Sequence, residues 1–364
     1  VIHAAAPLLP DAFVDENFSF YGKTLTGAQE LSPRWKRCVR YADADLGEAL
    51  GQKYVEKHFP PAAKQRMEQL VHAVETALEQ DIRQLDWMTD DTKKKALRKL
   101  DSIRNKIGHP EKWRDYSSLD IEPGDALGNS VRSNAFALSY DLSKIGKASD
   151  KDEWAMSPPT VNAYYHPLQN NINFPAGILQ PPFFDNELDD AVNFGAIGAV
   201  IGHELTHGFD DSGRQFDYDG ALRDWWTEAD AKAFEERASC IEKQYEGYSP
   251  VEGVHLNGKL TLGENTADNG GLRVALMALE NTLKNKRVGK IDGFTPEQRL
   301  FLGWSQVWCQ NITDEAARLR AQTDPHSPGE FRVNGVLSNM PAFRKAFGCK
   351  VGQPMAPENM CRVW

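Results

Sequence analysis

The sequence predicts a mainly α-helical protein that carries one small β-sheet. Two observations predict the helices: apolar residues recur at steps of three and four over residues 63–86, and residues 188–209 are apolar on nearly every side. A third observation predicts the sheet, because β-forming residues flank the polar segment "HPLQNN" within residues 160–177, as in a hairpin. With 41% hydrophobic and 26% charged residues, the composition of the 364-residue chain is typical of a globular protein.

The N-terminal part carries the first helical pattern. Its apolar stripe over residues 63–86 consists of Met67, Leu70, Val71, Val74, Leu78, Ile82 and Leu85. Thr89 is expected to cap a second helix that ends at "GHP", residues 108–110. One face of that helix is predicted to carry Leu97, Leu100, Ile103 and Ile107. The run "KKKALRK" within it is interpreted as the solvated face of the helix.

A polar stretch, residues 113–150, separates this part from the rest of the chain. It is rich in Asp, Ser and Gly, and we interpret it as a transition, so that residues 1–112 and 113–364 form two regions. In the apolar segment that follows, Gly195, Gly198 and Gly202 lower the helix propensity. Close packing against a neighbouring element would explain these glycines.

Composition and charge exclude several classes of function. The formal net charge of −10 argues against a nucleic-acid partner, since phosphate binding requires clustered Lys and Arg. The longest unbroken apolar run, residues 194–202, is far shorter than the roughly 20 residues that a membrane-spanning helix needs. Five cysteines in no metal-like spacing leave two alternatives: buried thiols of a cytosolic protein, which composition alone favours, or an incomplete set of disulfides.

The segment "IGHELTHGFDD", residues 201–211, indicates a metal site. On a helix, positions four apart differ by about 40° around the axis, so His203 and His207 can converge on one cation. Glu204 lies about 100° round the helix, where it can reach a water on that cation and act as a general base. An ordinary amphipathic helix is the alternative, but the flanking residues are apolar, and burying these groups without partners costs several kcal/mol, roughly 2–7 for each.

A third ligand is expected downstream, in "LGENTADNGGL", residues 262–272. Glu264 and Asp268 are again four apart, so one helical face presents both carboxylates. Glu264 can bind the cation, while Asp268 can accept the second N–H of a histidine ligand, His203 being the expected one. The alternative is an ordinary acidic first turn of a helix, and this segment alone does not decide between them.

Several motifs in the same order resemble the neprilysin family of zinc endopeptidases. They are "VNAYY", "FPAGILQPPFF", "GHELTHGFDDSGR", "DWW", "GENTADNGGL", "VWC", "DPHSPGEFRVNGVLSN" and the terminal "CRVW". The resemblance extends from "FYGKTLTG" to Trp364. It implies one zinc ion per chain, with His203, His207 and Glu264 as ligands, Glu204 as general base and Asp268 as the residue that orients a ligand.

The resemblance also implies a fold. Residues 113–364 would form a thermolysin-like catalytic zinc-peptidase domain, and residues 1–112 the C-terminal part of the family's helical lid domain. Members of the family are roughly twice this length, so the chain is expected to be the C-terminal part of a longer protein, with an upstream segment as partner.

The same resemblance assigns residues that would bind the substrate. His326 would donate a hydrogen bond to the transition-state oxyanion, with Asp324 orienting it, and Arg332 would hold a substrate carbonyl. Asn162 and the main chain of Ala163 would bond the main chain of the peptide. An apolar pocket for the residue after the scissile bond would be formed by Ile178, Phe183, Val200, Val307 and Trp308.

Finally, the resemblance bears on the cysteines and on the location of the protein. It implies a disulfide between Cys240 and Cys361, and partners for Cys38, Cys309 and Cys349 in the upstream segment. An extracytoplasmic location, either periplasmic, secreted or as an ectodomain, is therefore expected. The predicted activity is hydrolysis of oligopeptides before a hydrophobic residue; a peptide-binding protein on a peptidase scaffold and an inactive fragment are the alternatives.

Overall fold

The computed structural model describes residues 2–364, and α-helices dominate this range. The helices are α1 (Ile2–Ala5), α2 (Asp11–Asn17), α3 (Arg34–His58), α4 (Pro61–Gln84), α5 (Asp90–Asp101), α6 (Ala126–Leu142), α7 (Asp190–Asn193), α8 (Ala199–His207), α9 (Glu228–Glu246), α10 (Leu262–Leu283), α11 (Pro296–Val307), α12 (Asp314–Thr323), α13 (Gly329–Ser338) and α14 (Pro341–Phe347). Two π-helical turns, Phe18–Thr24 and Phe194–Gly198, extend α2 and join α7 to α8. The predicted fold class, mainly α, is confirmed.

One three-stranded sheet accompanies the helices. Its strands are β1 (Arg104–Gly108), β2 (Tyr164–His166) and β3 (Asn171–Pro175), in the order β1-β3-β2. β3 runs antiparallel to β2 and parallel to β1. The predicted hairpin is therefore confirmed, and β2 lies at the edge of the sheet.

The core is built around α4, α8 and α10, which pack against one another. The apolar stripe predicted for residues 63–86 is buried along its whole length, and α4 covers one side of α10 with it. The contact of α10 with α8 is the most extensive between any two helices of residues 2–364. α8 and α10 are thereby fixed side by side in the core.

The second predicted helix is shorter than expected. α5 ends at Asp101, and Ile107 lies in β1 instead, opposite Phe174 of β3. The prediction was wrong because Ile103 and Ile107 are four apart, a spacing that places two side chains on one side of either a helix or a strand. Residues 104–108 form a strand because they pair with β3.

Two side chains near this helix also differ from expectation. Thr89 occupies the N-cap position of α5, but its hydroxyl donates to Oδ2 of Asp230 at 2.6 Å rather than capping its own helix. Lys99, the last residue of the run interpreted as solvated, is only 1% exposed. The solvated face therefore ends before Lys99.

The polar stretch 113–150 is not merely a transition, because it contains α6. Its polar composition hid this helix, and α6 buries only Ser133 fully. The division at residues 112 and 113 stays a prediction. The sheet crosses it, since β1 comes before the division and β3 after it.

Residues 188–209 form the buried helical segment that was predicted, as α7, a π-helical turn and α8. A Cβ on Gly195 would lie 2.0 Å from the carbonyl oxygen of Leu300, so a neighbouring helix does require this glycine. Gly202 likewise faces Gly271 of α10. The prediction was wrong for Gly198, whose nearest atoms belong to Phe194 and Asn193 of its own segment.

Two further features concern the chain as a whole. Cys240 of α9 and Cys361 form a disulfide, while Cys38, Cys309 and Cys349 are free thiols. Within residues 2–364, no helix combines the length and the apolar character needed to cross a bilayer.

Candidate metal centre

Three electron-pair donors converge where α8 meets α10. His203 and His207, one turn apart on α8, bring their Nε2 atoms to 2.9 Å from each other. Oε2 of Glu264, in the first turn of α10, lies 3.2 Å from Nε2 of His203 and 3.6 Å from Nε2 of His207. The helical spacing brings the two rings together, and the packing of the two helices adds the carboxylate.

The other ring nitrogen of each histidine faces a carboxylate. Nδ1 of His203 lies 2.8 Å from Oδ1 of Asp268, and Nδ1 of His207 lies 2.6 Å from Oδ2 of Asp210. Because a carboxylate only accepts, each Nδ1 donates its proton, and each Nε2 presents a lone pair to the common point. Two lone pairs and a carboxylate oxygen at this separation repel one another unless a cation lies between them.

This donor set fits zinc. Tetrahedral zinc with bonds of 2.0–2.1 Å places its ligand atoms about 3.3 Å apart, close to the separations found here. Oε2 of Glu264 is buried and has no hydrogen-bond partner among the described residues, so it is available to a metal. Two imidazoles and one carboxylate form a zinc ligand set that leaves a fourth position open. Glu264 is the candidate third ligand, because its Oε2 lies 3.2 Å and 3.6 Å from the two Nε2 atoms and has no other partner among the described residues.

The charges around the rings favour a cation. Burial alone lowers the pKa of His207, but Asp210 and Glu264 outweigh it and raise the pKa well above its ordinary value. For His203, Asp268 and Glu264 likewise outweigh burial and raise the pKa. A metal competes with protons for the same nitrogens, so metal binding releases these protons.

Glu204 lies beside the point where His203, His207 and Glu264 converge, but it is not one of the three candidate ligands. A carboxylate oxygen of Glu204 is within 4.8 Å of nitrogens of both His203 and His207. Its side chain is buried, and burial, with the charge of Glu264 adding, raises its pKa above the ordinary value of 4.5. A raised pKa makes the carboxylate a better proton acceptor, as a general base requires.

Arg332 of α13 is tied to the same network. Its Nε and Nη2 donate to the two carboxylate oxygens of Asp268, each at 2.7 Å. Burial alone raises the pKa of Asp268, but Arg332 and then His203 outweigh it and hold that pKa below its usual value. The guanidinium also stacks on the ring of Trp308, 3.7 Å from its centroid. Arg332 therefore links the carboxylate that contacts His203 to the ring of Trp308.

His326 lies at the rim of the cleft. Asp324 binds it twice, at 2.9 Å from its Nδ1 and at 2.9 Å from its main-chain nitrogen. Nε2 of the same ring lies 3.3 Å from Oε1 of Glu264. Asp324 thus orients the ring so that its second nitrogen faces the centre.

A cavity of about 480 Å³ opens over the centre. Of the five residues predicted for an apolar pocket, Ile178, Phe183, Val200 and Trp308 line it. Val307 does not line it, which corrects that prediction. Trp304 and Trp308, one turn apart at the end of α11, occupy the side facing the cavity, and Val307 packs against the core.

Asn162 and Ala163 line the cavity just before the edge strand β2. The side-chain oxygen of Asn162 accepts from the main-chain nitrogen of Ala163 at 2.9 Å. The main-chain carbonyl of Ala163 and the side-chain Nδ2 of Asn162 take no part in this hydrogen bond, so both could bind a peptide main chain.

Sequence reasoning missed Asp210 and Trp304. Asp210 lies three residues after His207, in the quoted motif, but the helix ends between them and helical spacing gives no indication that its carboxylate turns back. Trp304 is one helical turn before Trp308, and that spacing was the available signal.

Comparison with known proteins agrees with this geometry. Two sequence profiles of peptidase family M13 match the chain, one over residues 162–363 and one over residues 1–110. The chain belongs to peptidase family M13. The resemblance to the neprilysin family is thereby confirmed.

Relatives in family M13 include endothelin-converting enzyme 1 of Rattus norvegicus, which is 41% identical over 100% of this chain and 49% of its own length. Neprilysin-3 of Drosophila melanogaster is 40% identical over 94% of this chain and 45% of its own length. The chain therefore spans about half the length of the curated relatives it matches.

Two solved M13 structures share the fold. The zinc metalloprotease Zmp1 of Mycobacterium tuberculosis, in complex with an inhibitor, superposes with a TM-score of 0.96 at 46% identity, covering 100% of this chain and 56% of that one. PepO of Lactobacillus rhamnosis gives a TM-score of 0.89 at 32% identity, covering 97% and 55%. The thermolysin-like zinc-peptidase fold expected from the sequence is confirmed.

Proposed function

We propose that this chain carries the catalytic centre of a zinc endopeptidase that hydrolyses oligopeptides before a hydrophobic residue. The observation that carries the proposal is the convergence of His203, His207 and Glu264 to within 3.6 Å of one another, with Glu204 beside them. These three residues would hold the zinc ion. The chemistry that zinc supplies in such a site is Lewis acidity toward a water molecule and toward the substrate carbonyl.

The chain's own residues would move the proton. Glu204 would accept a proton from the attacking water and deliver it to the nitrogen of the leaving amine. Its buried position keeps bulk water away from the carboxylate, and its raised pKa suits a group that both takes and returns a proton. Glutamate can do this without itself binding the metal.

His326 would stabilise the charge that develops on the carbonyl oxygen. Asp324 accepts from its Nδ1, so Nε2 is free to donate toward the cleft when the ring is protonated. A donor of this kind contributes about 2.7–4 kcal/mol to lowering the barrier. Arg332, held in place by Asp268, would bind a substrate carbonyl with the guanidinium nitrogen that Asp268 does not engage, Nη1.

The lining of the cavity supports the preference for a hydrophobic residue. Ile178, Phe183 and Val200 line the cavity, as does Trp308, whose ring lies under the guanidinium of Arg332. A hydrophobic side chain placed beyond the scissile bond would lose its contact with water against these residues. The edge strand β2 would bind the main chain of the substrate, which gives affinity without selecting the sequence.

The setting of the activity is part of the same proposal. A disulfide between Cys240 and Cys361 supports an extracytoplasmic location, because such bonds persist in oxidising compartments. The length of the relatives supports an upstream segment as partner. The three free cysteines would form disulfides with cysteines of that segment.

The test uses internally quenched peptides that differ only in the residue after the scissile bond. We expect hydrolysis before Phe or Leu, loss of hydrolysis with a zinc chelator, and recovery when zinc is added back. A zinc-loaded chain that binds peptide but does not cleave it would contradict the activity and favour the binding protein or the inactive fragment. Cleavage before Asp as fast as before Leu would contradict the preference.

A further inference from the structure

Lys99, near the end of α5, is a buried cation directly behind the metal centre. Its Nζ donates to three main-chain carbonyls: those of Gly208 at 2.6 Å, Gly213 at 2.8 Å and Phe216 at 2.6 Å. An ammonium group has three N–H donors, so each of them has one partner. The site thus matches a charged lysine in the number and direction of its acceptors.

Aromatic rings enclose the same ammonium group. Nζ lies 5.7 Å from the ring centroid of Tyr165, 5.5 Å from that of Phe209 and 6.0 Å from that of Trp225. Rings at this distance attract a cation through their quadrupoles. Three carbonyls and three rings replace the water that a buried lysine loses, which offsets part of the cost of burying its charge. Burial still lowers the pKa of Lys99 to about 7, although Asp210 and Asp217 act to raise it.

The three carbonyls belong to the loop that follows the second histidine ligand. Gly208 comes directly after His207, the last residue of α8, and Gly213 lies on the far side of Asp210. Oδ1 of Asp210 accepts from the main-chain nitrogens of Ser212 at 2.9 Å and Gly213 at 2.7 Å. Lys99 therefore fixes the main chain on both sides of Asp210.

Asp210 in turn contacts the ligand. Its Oδ2 lies 2.6 Å from Nδ1 of His207, while its Oδ1 is held by the turn. The loop packs back on the helix end so closely that a Cβ on Gly213 would lie 1.7 Å from the carbonyl oxygen of His207. A continuous series of contacts thus leads from Lys99 through the loop to Asp210 and His207.

We propose that Lys99 is a positioning residue for the metal centre, which holds the loop 208–216 so that Asp210 keeps the ring of His207 aimed at the zinc ion. The inference rests on the zinc site proposed above. It assigns to the helical N-terminal region a residue on which the geometry of the metal ligands depends. Removing a residue that hydrogen-bonds a metal ligand, as Asp210 does His207, typically costs about 10–100-fold in metal affinity or activity. That loss is the ceiling for a residue that acts through Asp210.

The main chain of Lys99 strengthens this link to the cleft. Its carbonyl oxygen accepts from Nδ2 of Asn170 at 3.2 Å, and Oδ1 of Asn170 accepts from the hydroxyl of Tyr165 at 2.9 Å. Both belong to the hairpin that lines the cavity. The end of α5 therefore supports the loop with its side chain and the hairpin with its main chain.

The test measures zinc affinity by competition with a chromogenic chelator, on folded protein, in Lys99→Met and in a matched control. Lys106→Met is that control, because Lys106 is 8% exposed and also donates to a main-chain carbonyl, that of Glu153 at 2.6 Å, but lies away from the metal centre. We expect zinc affinity to fall in Lys99→Met, by at most about 10–100-fold, and to stay unchanged in Lys106→Met. Unchanged zinc affinity in folded Lys99→Met would overturn the proposal.

A double-mutant cycle with Asp210→Asn separates positioning from general stabilisation. If Lys99 acts through Asp210, Lys99→Met costs little further zinc affinity once Asp210 is changed, whereas independent losses add. Lys99→Gln, which keeps an amide donor, is carried through the same cycle in case the methionine variant does not fold. Additive losses, or failure of both Lys99 variants to fold, would contradict the proposal and show that Lys99 only stabilises the fold. Failure of the unaltered chain to bind zinc would instead refute the proposed function.

Discussion

Gly202 of α8 and Gly271 of α10 face each other where the helix of His203 meets the helix of Glu264. A Cβ added to Gly202 would lie 2.5 Å from the carbonyl oxygen of Gly271, and one added to Gly271 would lie 2.4 Å from the main-chain nitrogen of His203. Only glycine permits this approach. This close approach of α8 and α10 brings the carboxylate of Glu264 to 3.2 Å from the ring of His203.

Replacing Gly202 with alanine should therefore separate the helices. We expect Gly202→Ala to lower the free energy of unfolding by about 1–3 kcal/mol, as overpacking of a core does, and to weaken zinc binding as well. Urea unfolding and zinc titration measure the two effects. Gly289→Ala is the control, because no atom lies within 4 Å of a Cβ at Gly289. Equal stability of both variants would show that the helices can move apart without cost.

Glu204→Gln should leave zinc in place and remove turnover. The amide has the size of the carboxylate but cannot accept the proton of water, so we expect kcat to fall by about 10²–10⁴-fold. Zinc content by elemental analysis and kcat on a quenched peptide are measured on the same preparation. Activity near that of the unaltered chain in a zinc-loaded variant would remove Glu204 as the general base.

Glu264→Ala should lose the metal itself. Removing a direct ligand leaves two imidazoles, so we expect the loss of zinc affinity to exceed the roughly 10–100-fold that an outer partner contributes. Glu280→Ala, at an exposed position of the same helix, is the matched control. If Glu264→Ala retains one zinc per chain at normal affinity, the third ligand lies elsewhere.

The stability of the protein should depend on pH through Lys106. Burial lowers the pKa of Lys106 to about 8, against 10.5 for a free lysine. Between these values the unfolded chain binds more protons than the folded one, so stability from this residue rises with pH. Relative to Lys106→Met, the unaltered chain should therefore gain stability from pH 7 to about 9.5. Thermal unfolding at both values tests this, and a relative loss at the higher pH would contradict the sign.

Thiol counting should show one disulfide. In denatured, unreduced protein we expect three reactive thiols, from Cys38, Cys309 and Cys349, and five after reduction. Peptide mapping should recover Cys240 and Cys361 as a linked pair. Five reactive thiols before reduction would show that the pair does not form and would weaken the argument for an oxidising compartment.

Local spacing was sufficient for the parts of the molecule that depend on a single helix or hairpin. His203 and His207 share a face because a helix turns once in about 3.6 residues, and the same rule relates Glu264 to Asp268. The stripe of α4 and the hairpin of β2 and β3 were predicted from the same kind of periodicity. The family resemblance then supplied residues such as His326 and Asp324, whose contact in the structure spans only two positions.

The sequence by itself thus determined that His203 and His207 could bind one metal ion, since their chemistry and their spacing along one helix are local properties. Only the tertiary structure decided that the carboxylate of Glu264 joins them, because α8 and α10 are distant in the sequence. Only the tertiary structure decided that Asp210 turns back to His207, that Lys99 lies buried under the loop rather than in solvent, and that residues 104–108 form a strand. Each of these depends on a partner distant in the sequence or on the path of a loop. The free energy of such a contact comes from burying and satisfying groups that periodicity cannot bring together.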